Sequence, residues 1–317
     1  MRSWSDSLAD PLTDVTIPLG RLPSSAPVPA PTFDLQAHST HSDGVLPPEE
    51  VVRLAAEAGV ELLALSDHDT VDGVDAALAA GSQHGVRVVT SSELSSVDGE
   101  YEDLHILGYD IDHRDAALRE RLHAFRADRE LRAERMAERL RELGWAVDDT
   151  KLEERRRAGK TIGRPHLTLA VLEHPDNAER LAKEGYTDVS SFLPAFLIRG
   201  KPAFLPRTTP TVEEAIEVIH AAGGVAVWAH PFWDIDDPDE VIAAAERFRG
   251  FGLDGIEAFY ITHTREQTML LVDHCEEHGL LATGSADFHG PKHERFSEFR
   301  AFELHGREPR LERLIGS

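Results

Sequence analysis

Histidines and carboxylates recur in this chain at or just after short apolar segments. They are His38 and Asp43, His68, Glu93, His105, His230, and the pair Asp287 and His289. Imidazole and carboxylate groups together suit Zn²⁺, Mn²⁺ or Fe²⁺. Because these residues exceed what one ion needs, the sequence predicts a site for two or three divalent ions. Glu93 is the candidate that would bridge two of them.

Sites with several metal ions and mixed histidine and carboxylate ligands are typical of phosphoester hydrolysis. The ions lower the pKa of bound water, hold phosphoryl oxygens and take up charge on the leaving oxygen. The sequence therefore predicts hydrolysis by a metal-activated hydroxide. Its candidate catalytic residues are Asp43, His68, Glu93, Asp287 and His289.

A single buried histidine is more often a core residue than a metal ligand, and the chain has 17 histidines. The metal hypothesis depends on the repetition of ligand residues at successive predicted strands. Histidines outside this pattern are interpreted as having no chemical role, namely His84, His113, His123, His174, His220, His274, His278 and His305.

The apolar segments that carry these residues alternate with helical patterns. The predicted strands are Phe33–Ala37, Glu61–Ser66, Val86–Ser91, Asp103–Tyr109, Val225–Ala229, Asp254–Tyr260 and Leu280–Thr283, with Phe299–Leu304 as a candidate last strand. The predicted helices between them are Pro48–Ala58, Val71–His84, Val212–Ala222, Pro238–Phe248 and Thr264–His278. Such alternation predicts an α/β barrel of parallel strands with its active site at the C-terminal strand ends.

The alternation is interrupted by a long charged helical pattern at Asp115–Leu143 and shorter helices at Gly163–Leu172 and Val189–Leu197. We expect residues 115–206 to be a helical insertion that caps the barrel mouth. The barrel would then comprise residues 33–114 and 207–317. Residues 1–32 read as a Pro/Ser-rich tail with a short local packing at Val15–Leu19.

The composition is that of a globular protein with a net charge of −24. A field of that sign disfavours long duplex nucleic acid and anionic membranes as partners. An anionic substrate would need metal ions or a few clustered basic residues. Cys275 is the one cysteine, which fits a reducing, cytoplasmic compartment. No apolar run approaches the length of a membrane span.

The motifs AHSTHSDG, LSDHDTVDG, SSELS, LHILGY, GRPHL, GKPAF, WAHP and SADFH together resemble the polymerase and histidinol phosphatase (PHP) superfamily. Within it, the chain is similar to phosphoesterases that dephosphorylate nucleoside 3′,5′-bisphosphates or trim short RNA from the 5′ end. The resemblance implies a distorted (β/α)7 barrel with up to three metal ions. It implies the same eight ligands as the residue pattern.

The first motif departs from the family pattern. The family usually begins with His-x-His, whereas this chain has Gln36-x-His38. An amide oxygen is a poorer ligand for these ions than imidazole, so one ion is expected to bind weakly or to be a different element. His41 is a nearby alternative donor.

The resemblance also implies residues that bind substrate. Arg164 and His166 match the family's Gly-Arg-Pro-His segment, and Lys201 matches its Gly-Lys-Pro segment. Gly44 belongs to the Ser-Asp-Gly sequence that is similar to the bisphosphate phosphatases. Tyr260 and His263 lie at the end of a predicted strand and are weaker candidates to line the pocket.

These observations predict a hydrolase acting on phosphoric ester bonds. Its expected substrates are nucleoside 3′,5′-bisphosphates or the 5′ ends of short oligonucleotides. The alternatives are a phosphatase of nucleoside monophosphates or histidinol phosphate, and a non-catalytic metal-dependent ligand sensor. Turnover of a generic phosphate ester with added Mn²⁺ would separate an enzyme from a sensor.

Overall fold

The computed structural model describes residues 31–157 and 162–315. Seven strands form the centre of the fold. They are β1 (Phe33–Asp34), β2 (Leu62–Leu65), β3 (Arg87–Asp98), β4 (Tyr101–Tyr109), β5 (Val225–Trp228), β6 (Gly255–Tyr260) and β7 (Leu281–Ser285). The strand order follows the chain order from β1 to β7.

The sheet curves until its two edges meet. The backbone nitrogen of Leu35 donates to the oxygen of Gly284 at 3.1 Å, and that of His38 donates to Phe288 at 2.8 Å. These bonds connect the segment after β1 to β7 and to the residues that follow it. The predicted seven-stranded barrel of the α/β class is therefore confirmed.

The barrel is distorted because β4 runs against both of its neighbours. β4 pairs antiparallel with β3 and with β5, whereas the other neighbouring strands are parallel. The prediction of an all-parallel barrel was wrong here, because β3 and β4 are joined by a tight turn at Gly99. Glu93 lies within β3 instead of after it, whereas His105 lies within its strand as predicted.

Helices surround the barrel and fill the interval between β4 and β5. They are α1 (Pro48–Glu57), α2 (Val74–His84), α3 (Ala116–Glu142), α4 (Asp149–Arg157), α5 (Arg164–Leu172), α6 (Ala178–Glu184), α7 (Val189–Phe196), α8 (Val212–Ala221), α9 (Pro238–Gly250), α10 (Arg265–His278) and α11 (Glu312–Ile315). Local sequence sets several of their starts. Thr211 and Glu214 form a capping box before α8, and Thr264 and Gln267 form one before α10.

Three separate sets of buried apolar residues hold the molecule together, and the smallest packs α1 and α2 beside β2. The largest set joins the barrel strands to the helices that pack on them, with Tyr109, Trp228 and Phe259 fully buried. The second lies between residues 133 and 203 and contains Trp145 and Phe192. The second half of α3 and the helices α4 to α7 therefore have a core of their own.

The candidate last strand at Phe299–Leu304 was wrong, since residues 299–304 form turns and irregular chain. Arg300 has a φ of 63° and donates its backbone nitrogen to Asp34. That contact turns the chain away from a strand path. The expected packing at Val15–Leu19 lies outside the described residues. Within residues 31–157 and 162–315, no helix is both long and apolar enough for a membrane span.

Candidate metal centre

The barrel strands bring all the predicted metal-binding residues to one place. A pocket of about 190 Å³ opens there. Its lining residues are Gln36, Asp43, His68, Glu93, His105, His230, Trp233, Tyr260, Asp287, His289 and Phe296. His38 lies directly behind this lining, about 3 Å from Glu93 and Asp287.

Glu93 occupies the centre of the group and is fully buried. Its Oε1 lies 2.7 Å from His105 Nδ1 and 3.3 Å from His230 Nε2. Its Oε2 lies 3.1 Å from His38 Nε2 and 3.8 Å from His68 Nδ1. Each carboxylate oxygen thus faces a different pair of imidazoles, which is the arrangement that a carboxylate bridging two ions requires.

Asp43 and Asp287 complete the group on the opposite side. Asp43 lies 3.5 Å from both His68 and His289, and Asp287 Oδ1 lies 3.0 Å from His38 Nε2. Two sets of donors are each compact enough for one ion. They are His38, Asp43, His68 and His289, and His68, Glu93 and His105.

Several buried polar atoms of the pocket have no hydrogen-bond partner among the described residues, as expected of side chains that bind metal ions. His38 Nε2, His68 Nδ1, His230 Nδ1 and Asp287 Oδ1 are buried without a hydrogen-bond partner in the part of the chain that the structure describes. His38 Nε2 lies near two carboxylates, yet the directions do not suit hydrogen bonds. Buried polar atoms normally have a partner. Nitrogen and carboxylate donors that converge without bonding one another fit divalent ions of the zinc, manganese or iron type.

The charged groups of the pocket shift one another's pKa values. Burial opposes the charge of Glu93, but the charges of His68 and His105 hold its pKa well below its usual range. Burial likewise opposes the charge of His230, yet its contact with Glu93 raises its pKa to about 9. A proton on His230 competes with a divalent ion for the same nitrogen, so metal binding there should release that proton.

Three residues of this region have left-handed backbone conformations. The φ angles are 53° at Asp69, 31° at His230 and 56° at Asp287. Such conformations are unfavourable for non-glycine residues and persist where the surroundings hold them. Here they turn the chain sharply after β5 and β7, so that the side chains of His230 and Asp287 reach the pocket.

The Ser-Asp-Gly loop is held by close packing. A Cβ atom on Gly44 would lie 2.3 Å from the backbone oxygen of His38. Glycine is therefore required where this loop folds back on the strand end and positions Asp43. Gly44 was predicted to bind substrate, and its close packing shows that it shapes this loop.

Several supporting residues carried no distinctive signal in the sequence. Asp67 accepts bonds from the hydroxyl groups of Ser39 and Ser42, both at 2.7 Å. Glu257 accepts from the backbone nitrogen of His230 at 2.9 Å. They fix the loops that present the ligands. A carboxylate close in sequence to a candidate metal ligand is a possible signal of such a supporting residue. Its hydrogen-bond partners, however, can be identified only from the folded structure.

Gln36 and Tyr260 both contact carboxylates of the pocket. The amide nitrogen of Gln36 donates to Glu93 at 2.8 Å, and its oxygen accepts from Ser285 at 3.3 Å. The Tyr260 hydroxyl donates to Asp287 at 2.8 Å. In this arrangement both side chains orient candidate ligands.

The remaining residues that were predicted to bind substrate are dispersed. Arg164 donates to Asp103 at 2.6 Å and lines a groove with Arg199. His166 Nδ1 accepts from the backbone of Gly163, and burial together with nearby arginines lowers its pKa to about 4. Lys201 is exposed and does not belong to the pocket lining. His263 is buried beside Tyr260, outside that lining.

Three residues near the pocket were missed by the sequence reasoning. Arg129 lies 3.4 Å from Asp69, and the charge of Arg155 interacts with that of Asp43. Both occur in densely charged helices, where nothing in the sequence separates them from solvated neighbours. Trp233 is 47% exposed at the edge of the pocket. An aromatic residue soon after a candidate ligand is the signal that could have identified it.

The chain matches known proteins over most of its length. A profile described as the PHP domain matches residues 34–126. A 5′-3′ exoribonuclease of Haemophilus influenzae is 32% identical over 261 residues, which cover 82% of this chain and 90% of that protein. The chain belongs to the PHP family.

Two further proteins that are similar to this chain are also named for phosphoester chemistry. A 3′,5′-nucleoside bisphosphate phosphatase of Chromobacterium violaceum is 32% identical over 264 residues, covering 82% of this chain and 87% of that protein. A solved structure from Bifidobacterium adolescentis, named as a candidate metal-dependent phosphoesterase, superposes with a TM-score of 0.65. It is 27% identical and covers 88% of this chain and all of the other.

Family membership and the donor set together identify the chemistry. The PHP protein described here is a metal-dependent phosphoesterase, a hydrolase that acts on phosphoric ester bonds. Bound divalent ions supply charge for the phosphoryl oxygens and an activated water. The residues around Glu93 would hold such ions, and Tyr260, Asp67 and Glu257 would keep these residues in place.

Proposed function

We propose that this PHP protein removes phosphate from nucleotides that carry a second phosphate. The favoured substrates are nucleoside 3′,5′-bisphosphates and the 5′ ends of short oligonucleotides, with two or three Mn²⁺, Zn²⁺ or Fe²⁺ ions in the pocket. The observation that carries this proposal is a set of arginines beside a metal-type pocket in a protein of net charge −24. Names of relatives add support, since they include an exoribonuclease and a bisphosphate phosphatase.

The arginines come from the segment between β4 and β5. Arg129, Arg132, Arg155, Arg164 and Arg207 lie close enough for their charges to lower the pKa values of neighbouring basic groups. Asp69, Glu102 and Asp103 already pair with several of these arginines, so a bound phosphate would compete with these carboxylates for them. Arginine also binds phosphate through two parallel hydrogen bonds. The cluster therefore suits a phosphate that is not the one undergoing hydrolysis.

The groove around Arg164 joins this cluster to the metal-type pocket. Asp103 borders the groove and lies two residues before His105 on the same face of β4. Asp234 borders it too and follows Trp233, which lines the pocket. A nucleotide could thus place one phosphate at each position. Arg164 would exchange Asp103 for phosphate, and Asp103 is exposed enough to be solvated after the exchange.

Trp233 supports the nucleotide part of the proposal. Its ring is nearly half exposed at the pocket edge, with the Arg295 guanidinium 5.5 Å from its centroid. Exposed aromatic rings bind nucleobases by stacking without strong base preference. The base would rest there while one phosphate reaches the ions.

The helical segment is proposed to cover the barrel mouth. Its arginines contact the barrel at several points, including Arg129 with Asp69 and Arg132 with Glu102 at 3.0 Å. A cover at this position would limit the length of bound nucleic acid. It would favour free ends and single nucleotides over long duplexes.

The experiment compares Arg164→Ala with the unchanged protein on two substrates with Mn²⁺ present. A charge-assisted arginine contact contributes about 1.5–3 kcal/mol, so kcat/KM for a nucleoside 3′,5′-bisphosphate should fall roughly ten- to a hundredfold. The loss on p-nitrophenyl phosphate should be much smaller, because that ester needs only the ions. Lys201→Ala should show the same bias only weakly, since Lys201 is exposed and lies outside the lining of both the pocket and the groove.

Equal losses on the two substrates would contradict the role of Arg164 in binding a second phosphate. A screen of phosphate release then decides among substrates. Faster turnover of nucleoside monophosphates or histidinol phosphate than of any bisphosphate or 5′-phosphorylated dinucleotide would overturn the proposed substrate class. Turnover of the small ester would still identify the pocket as the site of hydrolysis.

A further inference from the structure

A second group of metal-type side chains lies outside the barrel pocket, between α9 and α10. His274 and His278 are four residues apart near the C-terminal end of α10, and therefore lie on one face of that helix. Glu246 of α9 faces both imidazoles. One donor atom from each residue lies within 4.8 Å of the other two.

The distances in this group suit one small divalent ion. His278 Nε2 lies 3.0 Å from Glu246 Oε1, and His274 Nε2 lies 3.8 Å from the same oxygen. Donors about 2.1 Å from a tetrahedral ion are roughly 3.4 Å from one another. The two observed distances lie on either side of that value, so small side-chain rotations would place all three donors around one ion.

His274 provides an independent indication that a ligand is missing from this group. Its side chain is only 6% exposed. Its Nε2 is buried and has no hydrogen-bond partner within residues 31–157 and 162–315. Native proteins seldom leave such an atom unpaired. The nitrogen is directed toward Glu246 but is too far from it for a hydrogen bond, whereas an ion between them would pair with both.

Glu246 is already held in the orientation that a ligand needs. Arg249 donates to its Oε2 from two nitrogens, at 3.2 Å and 2.6 Å. This leaves Oε1 directed at the histidines. Carboxylates that bind metals are commonly fixed by such outer hydrogen bonds. The negative charge of Glu277 also acts on His274 and favours a cation there.

We propose that Glu246, His274 and His278 bind one Zn²⁺ ion, with water as the fourth ligand. The helix α10 runs back from the end of β6, which carries Tyr260 of the pocket, to the start of β7. Its last turn therefore lies at the opposite end of the barrel from the pocket. An ion there clamps α9 to α10 and stabilises the fold, without access to the substrate.

Zinc titration of the full chain tests this site. Protein treated with a chelator is titrated with Zn²⁺ against a chromophoric competitor, and bound zinc is counted in each variant. His278→Ala and Glu246→Gln should each bind one zinc fewer than the unchanged protein, or bind that ion about tenfold or more weakly. Added zinc should raise the melting temperature less in both variants. Hydrolysis of p-nitrophenyl phosphate should be unchanged in His278→Ala.

The matched control is His220→Ala. His220 also pairs with one carboxylate, Asp254, at 2.7 Å, but no second imidazole belongs to that pair within the described chain. Its zinc count should equal that of the unchanged protein. The proposal is overturned if His278→Ala and Glu246→Gln keep the full zinc count and the full thermal response. Both residues are partly exposed, so these variants should fold even if His274→Ala does not.

Discussion

The metal-type pocket and the arginine-bearing helices beside it are built in opposite ways. In the pocket, barrel strands and sharp turns hold buried charges against one another around Glu93. In the helices, arginines extend from a separate core around Trp145 and pair with partly exposed acids such as Asp103. The first arrangement fixes reacting atoms, and the second can exchange partners. Hydrolysis and substrate choice should therefore respond separately to substitution.

The largest effect is expected from the pocket. Asp287→Asn removes a negative charge 3.0 Å from His38 Nε2 and leaves a neutral amide. Activity on every phosphate ester should fall more than about a hundredfold, beyond the loss typical of residues that only support a metal site. Elemental analysis should show less bound metal, while the circular dichroism spectrum stays that of the folded barrel.

Asp273→Asn is the matched control, because Asp273 is an exposed aspartate paired with Arg307. It should retain metal and activity. Full activity in Asp287→Asn would contradict the assignment of the pocket as the site of hydrolysis. An unfolded Asp287→Asn would show instead that pocket and barrel stability cannot be separated.

A smaller, selective effect is expected from the helices. Arg155 and Arg157 lie two residues apart on α4, and the charge of Arg155 interacts with that of Asp43. Arg157 is 74% exposed and pairs with Glu153. Arg155→Ala should lower kcat/KM for a nucleoside bisphosphate about tenfold, on the scale of one charged hydrogen bond. Arg157→Ala should change it little.

The dependence of activity on ionic strength provides a second comparison of Arg155→Ala with Arg157→Ala. Activity of the unchanged protein on the bisphosphate should fall as ionic strength rises, since screening weakens contacts between exposed charges. Arg155→Ala should show a weaker dependence than Arg157→Ala. Identical salt dependence and identical rates for the two variants would mean that α4 does not take part in substrate binding.

The same contrast explains what could be predicted from the sequence. Residues such as His38, Glu93 and Asp287 follow or lie in apolar segments, so the barrel and the composition of the pocket could be predicted together. The antiparallel course of β4 was missed, because strand direction depends on the tight turn at Gly99 and on pairing with β5. The second half of β4, residues 104–109, is mostly buried and reads as the nearly continuous apolar run that is typical of a parallel strand.

The residues that contact the pocket from the helices could not be predicted in the same way. Arg155 belongs to the run Arg155–Arg157, and only the packing of α4 decides which of the three approaches Asp43. The orphan nitrogen of His274 was missed for a similar reason. Its partner Glu246 lies on a different helix, and the sequence does not reveal that contact.

The smallest effect is expected from Gln36. Gln36→His would replace the amide that donates to Glu93 with an imidazole ligand, and one ion should bind about tenfold more tightly. A metal titration of chelator-treated protein measures this change. Gln36→Leu is the control, since it removes the amide without adding a ligand, and it should not tighten binding. Identical titrations for Gln36→His and the unchanged protein would mean that residue 36 does not reach the ions.

The central claim is that ions held around Glu93 perform the hydrolysis. Anomalous diffraction from crystals of the active protein loaded with Mn²⁺ tests it most directly. The account predicts at least two anomalous peaks in the pocket, each within about 2.0–2.3 Å of its ligands. One peak should lie among His38, Asp43, His68 and His289, and another among His68, Glu93 and His105. Crystals that turn over a phosphate ester, yet show no anomalous peak near these side chains, would contradict the account.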